Sequence, residues 1–151
     1  MSRVLSTVPL TEDKISQAFP LIQAILPRLD FETWRNFAHP LTAEPAIGEH
    51  GIRVVRGETG YFCGLVIYRV ERDLVHGAVL AADHFIALDL LDPAPVAEAL
   101  IQELEKLADR FGCGAIHTHL NAAQRNLLDC FGAAGHHTEG YLLCRPLSGS
   151  S

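Results

Sequence analysis

Apolar residues recur at steps of three and four through Ile15, Ala18, Phe19, Ile22, Ile25, Leu26 and Leu29, which predicts an amphipathic helix from Thr11 to about Leu29. Thr11 is a candidate N-cap, and Glu12 and Asp13 suit the positive helix start. Pro20 and Pro27 each lack an amide donor, so a break or kink is expected at one or both. Asp30 then caps a short helix through Phe31, Trp34 and Phe37 that ends before Pro40, and Leu41 to Glu49 reads as a loop. Trp34 and Phe37, at helical spacing, are expected in the core or at an interface.

From Gly51 the pattern changes. "IRVV", "GETG" and "YFCGLVIYRV" read as strand, tight turn and strand, with β-branched and aromatic enrichment. "ERD" makes a second turn. "LVHGAVL" and "HFIALDLL" supply two further strands, separated near Ala82 and Asp83. His76 and Gly77, within the first of these, mark a bulge or a close backbone approach. The clearest helix runs from Ala97 to Phe111, with Ala97, Leu100, Ile101, Leu104, Leu107, Ala108 and Phe111 as its buried stripe and Gly112 just beyond its end. "GAIHTHL" is a strand, "AAQRNLLDCF" a helix stopped by Gly132, and "TEGYLLCR" a last strand. Two helices, three or four antiparallel strands, then helix, strand, helix and strand make an α+β domain with a mixed, mostly antiparallel sheet flanked by helices. Residues 1–147 are expected to form one domain and 148–151 a flexible tail.

Composition narrows the function classes. A chain of 151 residues with 48% hydrophobic and 20% charged residues is suited to a packed globular domain. The net charge of −6, with no basic cluster tighter than Arg53 and Arg56, argues against a non-specific nucleic-acid binder. No apolar run approaches the roughly 20 residues of a membrane helix, and the N-terminus lacks a secretory apolar core, so a cytoplasmic protein is expected. Cys63, Cys113, Cys130 and Cys144 are widely spaced and read as reduced, half-buried small hydrophobes. His117 and His119 alternate on a strand and share a face. With Cys113 or the His136–His137 pair they offer mixed metal ligands, but at no standard spacing, so no metal is expected.

The stretch "LLDPAPVAEALIQELEKL" joins a strand to the long helix where many nucleotide-binding proteins place a glycine-rich loop. This chain has Pro93 and Pro95 there and no glycine between Gly77 and Gly112. The order of elements, with the stretch from about Phe85 to Arg145, resembles the GNAT acetyltransferase superfamily. "FIALDLLDP" is similar to that family's strand, "VAEALIQELEKLADRFGCGAIHTHLN" to its helix, next strand and Asn, and "AAQRNLLDCFGA" to its closing helix. The resemblance implies a GNAT-like fold and acyl-CoA-dependent transfer of an acyl group, from acetyl-CoA or another acyl-CoA, to a small-molecule or protein amine. In the family, loop amides and the helix start bind the pyrophosphate of coenzyme A. Here the corresponding turn is "DPAPVA", where the two prolines each remove a donor and the family's basic residue is missing. The family's proton-donating tyrosine is replaced by Leu128, which carries no transferable proton.

The resemblance makes His84 the leading candidate base, with Asp83 and Asp89 as competitors. Strand amides around Leu90 and Leu91 would polarise the thioester carbonyl, and Ala94, Val96, Ala97 and Asn121 are the remaining candidate cofactor contacts. Asn121 serves equally as an N-cap, and Asp92 with the prolines equally as an ordinary helix start. Two function classes therefore stand: an N-acyltransferase with an eroded cofactor loop, and a non-catalytic relative that keeps the fold as a binding or dimerisation module. Exposed strand edges in this architecture leave a homodimer open.

Overall fold

The computed structural model describes residues 4–43 and 48–147; the expected tail 148–151 and part of the expected loop, residues 44–47, lie outside the described residues. The elements are β1 (Ser6–Pro9), α1 (Ile15–Ile25), α2 (Phe31–Ala43), β2 (His50–Arg56), β3 (Phe62–Asp73), β4 (Gly77–Ala87), α3 (Ala94–Arg110), β5 (Ala115–Thr118) and α4 (Leu128–Ala133). A 3-10 turn, Glu12–Lys14, precedes α1, and a second, Ala122–Leu127, leads into α4. The strands form one sheet in the order β1-β2-β3-β4-β5, with β1 to β4 antiparallel and β5 parallel to β4. The fold is therefore the expected α+β class with a mixed sheet.

Helices cover both faces, which explains why β2 and β3 read as near-continuous apolar runs rather than alternating ones. On one face Ile15, Ala18, Leu21 and Ile22 of α1 and Trp34 and Ala38 of α2 pack on Ile52, Val54, Leu65, Ile67 and Ile86. Trp34 is core, as its spacing implied, and its indole N–H donates to the Ile15 carbonyl at 2.9 Å. On the other face Val96, Leu100, Leu104 and Leu107 of α3 pack on Val55, Val66, Leu80 and Phe85. Burying each such side chain contributes about 1.5–3 kcal/mol. Helix α3 lies so close to β3 that a Cβ on Gly64 would sit 2.6 Å from Val96 Cγ1. Arg53 is buried beneath α3, donating from Nε to Glu103 Oε2 at 3.0 Å, with its guanidinium 5.2 Å from the Tyr68 ring centre. Arg56 instead reaches Ser6 Oγ, so the two arginines form no shared basic pocket.

Several boundaries differ from the sequence expectations. The first long helix divides into the 3-10 turn and α1, which contains Pro20 and ends before Pro27. Helix α2 continues through Pro40 to Ala43, giving up one backbone bond while Leu41 packs against the core. The two expected strands around Ala82 and Asp83 are one strand, β4, and Leu74 and Val75 stay exposed in the preceding turn. Strand β1 was not expected: its four residues carry little pattern of their own and gain order by pairing with β2. Helix α3 starts at Ala94, three residues before the expected Ala97. Gly132 lies inside α4, and the left-handed glycine after it is Gly135, at φ 92°. "TEGYLLCR" is not a strand; Tyr141 and Leu143 are each 90% exposed, and the segment is unpaired among the described residues.

Candidate functional site

β4 and β5 pair from Val79–Ala82 to Ala115–Thr118, opened by Gly114 N–H to the Ala78 carbonyl at 2.7 Å and closed by His119 N–H to the Ala82 carbonyl at 2.9 Å, after which β4 runs on to Ala87 beyond the end of β5. The end of this pairing coincides with a β-bulge. Ile67 faces His84 and Tyr68 faces Ala82, so Asp83 is an extra residue on β4. The bulge re-aims the strand, and His84 comes against α2, its ring 6.4 Å from that of Phe37 and nearly perpendicular to it. Asp83 forms an ion pair with Arg69, and His119 Nδ1 lies 3.5 Å from its other oxygen. Packing around the His84 imidazole, and secondarily the charge of His119, lowers its pKa below the usual histidine value, although its edge remains open to solvent. A neutral imidazole here has the form a proton acceptor needs. Asp83 is engaged by Arg69, and Asp89 lies two residues past the end of β4, so neither is placed as His84 is.

Beyond the bulge the gap between β4 and the segment after β5 is filled by the chain itself. The Ala87 N–H donates to Gln124 Oε1 at 2.9 Å, and Gln124 is only 3% exposed. Gln124 reaches this position because Asn121 caps the 3-10 turn that carries it, its Oδ1 accepting from Ala123 N–H at 2.9 Å. Asn121 thus acts as a helix cap. Sequence reasoning passed over Gln124, since nothing local distinguishes a buried Gln from an exposed one.

The turn into α3 tests whether coenzyme A fits. Leu91 N–H and Asp92 N–H both donate to Asp89 Oδ1, at 2.8 and 3.3 Å, and Ala94 N–H donates to Asp92 Oδ1 at 3.0 Å. Pro93 and Pro95 have no N–H, and Ala97 N–H is used by the Pro93 carbonyl at 2.9 Å. Of the donors from Leu91 to Ala97, Val96 N–H is left. The Asp92 carboxylate already takes the first amide of α3, where the helix dipole favours an anion, and the Asp89 carboxylate takes the amides just before it. These residues do not fit a diphosphate. Leu90 and Leu91, expected as strand residues, lie beyond β4, with side chains 104% and 91% exposed. Nearby, burial and then the carboxylates of Glu98, Asp92 and Asp129 push the Cys130 thiol up, which disfavours the nucleophilic thiolate. All four cysteines are free; Cys63 is buried and Cys144 exposed, so only Cys113 and Cys130 are half-buried as expected.

His117 and His119 part company. His119 turns to Asp83, and His117 Nε2 comes within 3.4 Å of Glu139 Oε1, beside His76. Cys113 does not join that group, whose members are His76, His117 and Glu139.

The architecture recurs in solved structures. Aminoglycoside N-acetyltransferase AAC(6')-Iy in complex with CoA superposes with a TM-score of 0.78 at 13% identity over 97% of both chains. AAC(6')-Ih from Acinetobacter baumannii gives 0.75 at 16% identity, over 97% of this chain and 100% of that one. Ribosomal-protein-alanine N-acetyltransferase from Brucella melitensis biovar Abortus 2308 gives 0.73 at 15% identity, over 94% of this chain and 100% of that one. At these identities the likeness establishes the fold alone. No protein-family model and no curated protein sequence matches the chain.

Proposed function

From the premise that this chain has the fold of the GNAT acetyltransferases, we propose that it is a binding module on that fold which does not hold acyl-CoA in the family's manner. The observation carrying this reading is the turn into α3, whose amides are taken by Asp89 and Asp92. The Gln124 side chain supports it by taking the Ala87 N–H at the end of β4. A ligand diphosphate entering here displaces Asp92 from the first amide of α3 and Asp89 from the turn before it, and meets the charge of both. The test is thermal unfolding of the full chain with millimolar acetyl-CoA and longer acyl-CoAs. An unchanged midpoint is expected, whereas stabilisation approaching the roughly 2.7 kcal/mol given by a ligand at a hundredfold excess over its Kd removes the proposal.

The module's partner is proposed to be a second copy of the chain. The stretch after α4 exposes Tyr141, Leu142 and Leu143 and is unpaired among the described residues, beside the short edge strand β5. Such an unpaired, apolar segment of strand-like composition is suited to edge pairing between subunits. Light scattering on the eluting protein is expected to give twice the chain mass, and a monomer at high micromolar concentration removes this part.

A second reading, acyl transfer to an amine, is favoured by His84. Its lowered pKa, its place at the bulge and the Phe37 ring over it give an acceptor for the amine's proton. In that reading His84→Ala slows turnover more than it weakens donor binding, and unchanged turnover removes His84 as the base.

A further inference from the structure

We propose that His76, His117 and Glu139 form a site for a divalent first-row transition ion, with zinc the ion their donors suit best. The three residues come from separate segments. His76 ends the β3–β4 turn, where Asp73 Oδ2 accepts from Val75 N–H at 3.1 Å and from His76 N–H at 2.8 Å and so fixes the backbone. His117 lies on β5 opposite Ala81. Glu139 follows α4 and the left-handed Gly135.

Their donor atoms all lie within 4.8 Å of one another. His76 Nε2 is 3.3 and 3.4 Å from the two Glu139 oxygens, and His117 Nε2 is 3.4 Å from Glu139 Oε1. Those separations are long for bonds to a carboxylate, which run about 2.7–2.9 Å. They match the spacing of ligands about a tetrahedral zinc, where bonds of about 2.0–2.1 Å put neighbouring donors roughly 3.4 Å apart. A second observation points the same way. His117 Nε2 is buried yet, despite the nearby carboxylate, makes no hydrogen bond. A buried polar atom without a partner costs about 1–3 kcal/mol, and an ion supplies the missing contact.

Two imidazoles and one carboxylate suit zinc and its neighbours in the first transition row. The fourth position opens on a groove of about 1160 Å³, also lined by His119, His136, His137 and Cys113, so that five of the chain's eight histidines face one space. Three protein donors and one open position is the arrangement that leaves room for water or a further ligand. His76 precedes the first residue of β4 and His117 stands opposite Ala81, so the three donors share no residue with the turn into α3, and the test does not depend on whether acyl-CoA binds.

The experiment is calorimetric titration of the full, chelator-treated chain with zinc chloride in a non-thiol reductant, with cobalt absorption as a second readout. One ion per chain is expected, with cobalt bands of tetrahedral intensity. Glu139→Gln changes an exposed side chain and keeps the fold. It is expected to weaken zinc by at least the roughly 10- to 100-fold that losing even an outer-shell partner costs. His117→Gln is expected to do the same, while Cys113→Ser and Cys144→Ser leave the affinity unchanged. No saturable zinc binding, equal affinity in the parent and Glu139→Gln, or binding abolished by loss of a thiol overturns the proposal.

Discussion

The two ends of β4 handle their polar groups in opposite ways. At its C-terminal end the chain satisfies itself: Asp89 and Asp92 take the free amides of the turn, two prolines remove two more, and Gln124 takes the amide of Ala87. At its N-terminal end three ligand atoms converge without good bonds among them, one of them buried. The first end leaves few groups for a ligand; the second is where this chain leaves a buried imidazole nitrogen without a hydrogen bond. The contrast teaches that a fold's usual site and a chain's own unsatisfied chemistry need not coincide, because ligands are drawn to groups whose bonding is incomplete.

The comparison breaks most visibly at the histidine end. Zinc at a hundredfold excess over its Kd is expected to stabilise the chain by about 2.7 kcal/mol. That raises Tm by roughly 5–10 °C for a domain of this size. Glu139→Gln loses that gain. A parent midpoint that zinc does not move makes the two ends alike.

Next in size is Gln124→Ala. It strands the buried Ala87 N–H and is expected to lower stability in urea by about 1–3 kcal/mol. An unchanged midpoint would falsify the idea that this side chain closes the gap beyond the bulge. Asp89→Ala is a smaller change, since the two amides it serves are exposed and water replaces it in part. A loss of about 1 kcal/mol is expected, the range of a lost helix-start cap. If Asp89→Asn with Asp92→Asn, which discharges the turn, brings acetyl-CoA stabilisation that the parent lacks, carboxylate charge was the barrier; if not, the prolines and Gln124 are.

The smallest effect is on pH. His84 has a folded pKa below its unfolded one, so folding favours the neutral ring. Its contribution is fully present above the unfolded value near 6.5 and is lost as pH falls through the lower folded value. Stability is expected to decline over that window and to decline less in His84→Gln. Asp13, Asp30 and Asp73, held low chiefly by hydrogen bonds, act lower, losing their contributions as pH falls from about 3.8. Identical pH slopes in parent and variant remove the link to His84.

Helix α3 was legible because its evidence is local: seven apolar residues at helical spacing, of which Leu100, Leu104 and Leu107 are wholly buried. Pro93 and Pro95 were enough to mark the turn as short of backbone donors. That Asp89 would turn its carboxylate back on Leu91 and Asp92 was not readable, because aspartate serves equally as a loop residue and an Asx cap. The bulge was read as a break between two strands, since a residue out of register on one strand looks like a turn when its partner is unseen. The final strand was expected from "TEGYLLCR", whose composition favours β structure but supplies no neighbour to pair with. Gln124 meets Ala87 across 37 residues and His76 meets Glu139 across 63, and no periodicity registers such pairs.

The amino-acid order alone determined the class of fold, the stripe that buries α3, and the loss of backbone donors at Pro93 and Pro95, because periodicity and the chemistry of proline are properties of neighbouring residues. Only the tertiary structure decided which polar groups found partners. Satisfaction of a donor or an acceptor depends on what stands within about 3 Å of it: at Ala87 a distant part of the chain supplies that neighbour, and at His117 Nε2 none does.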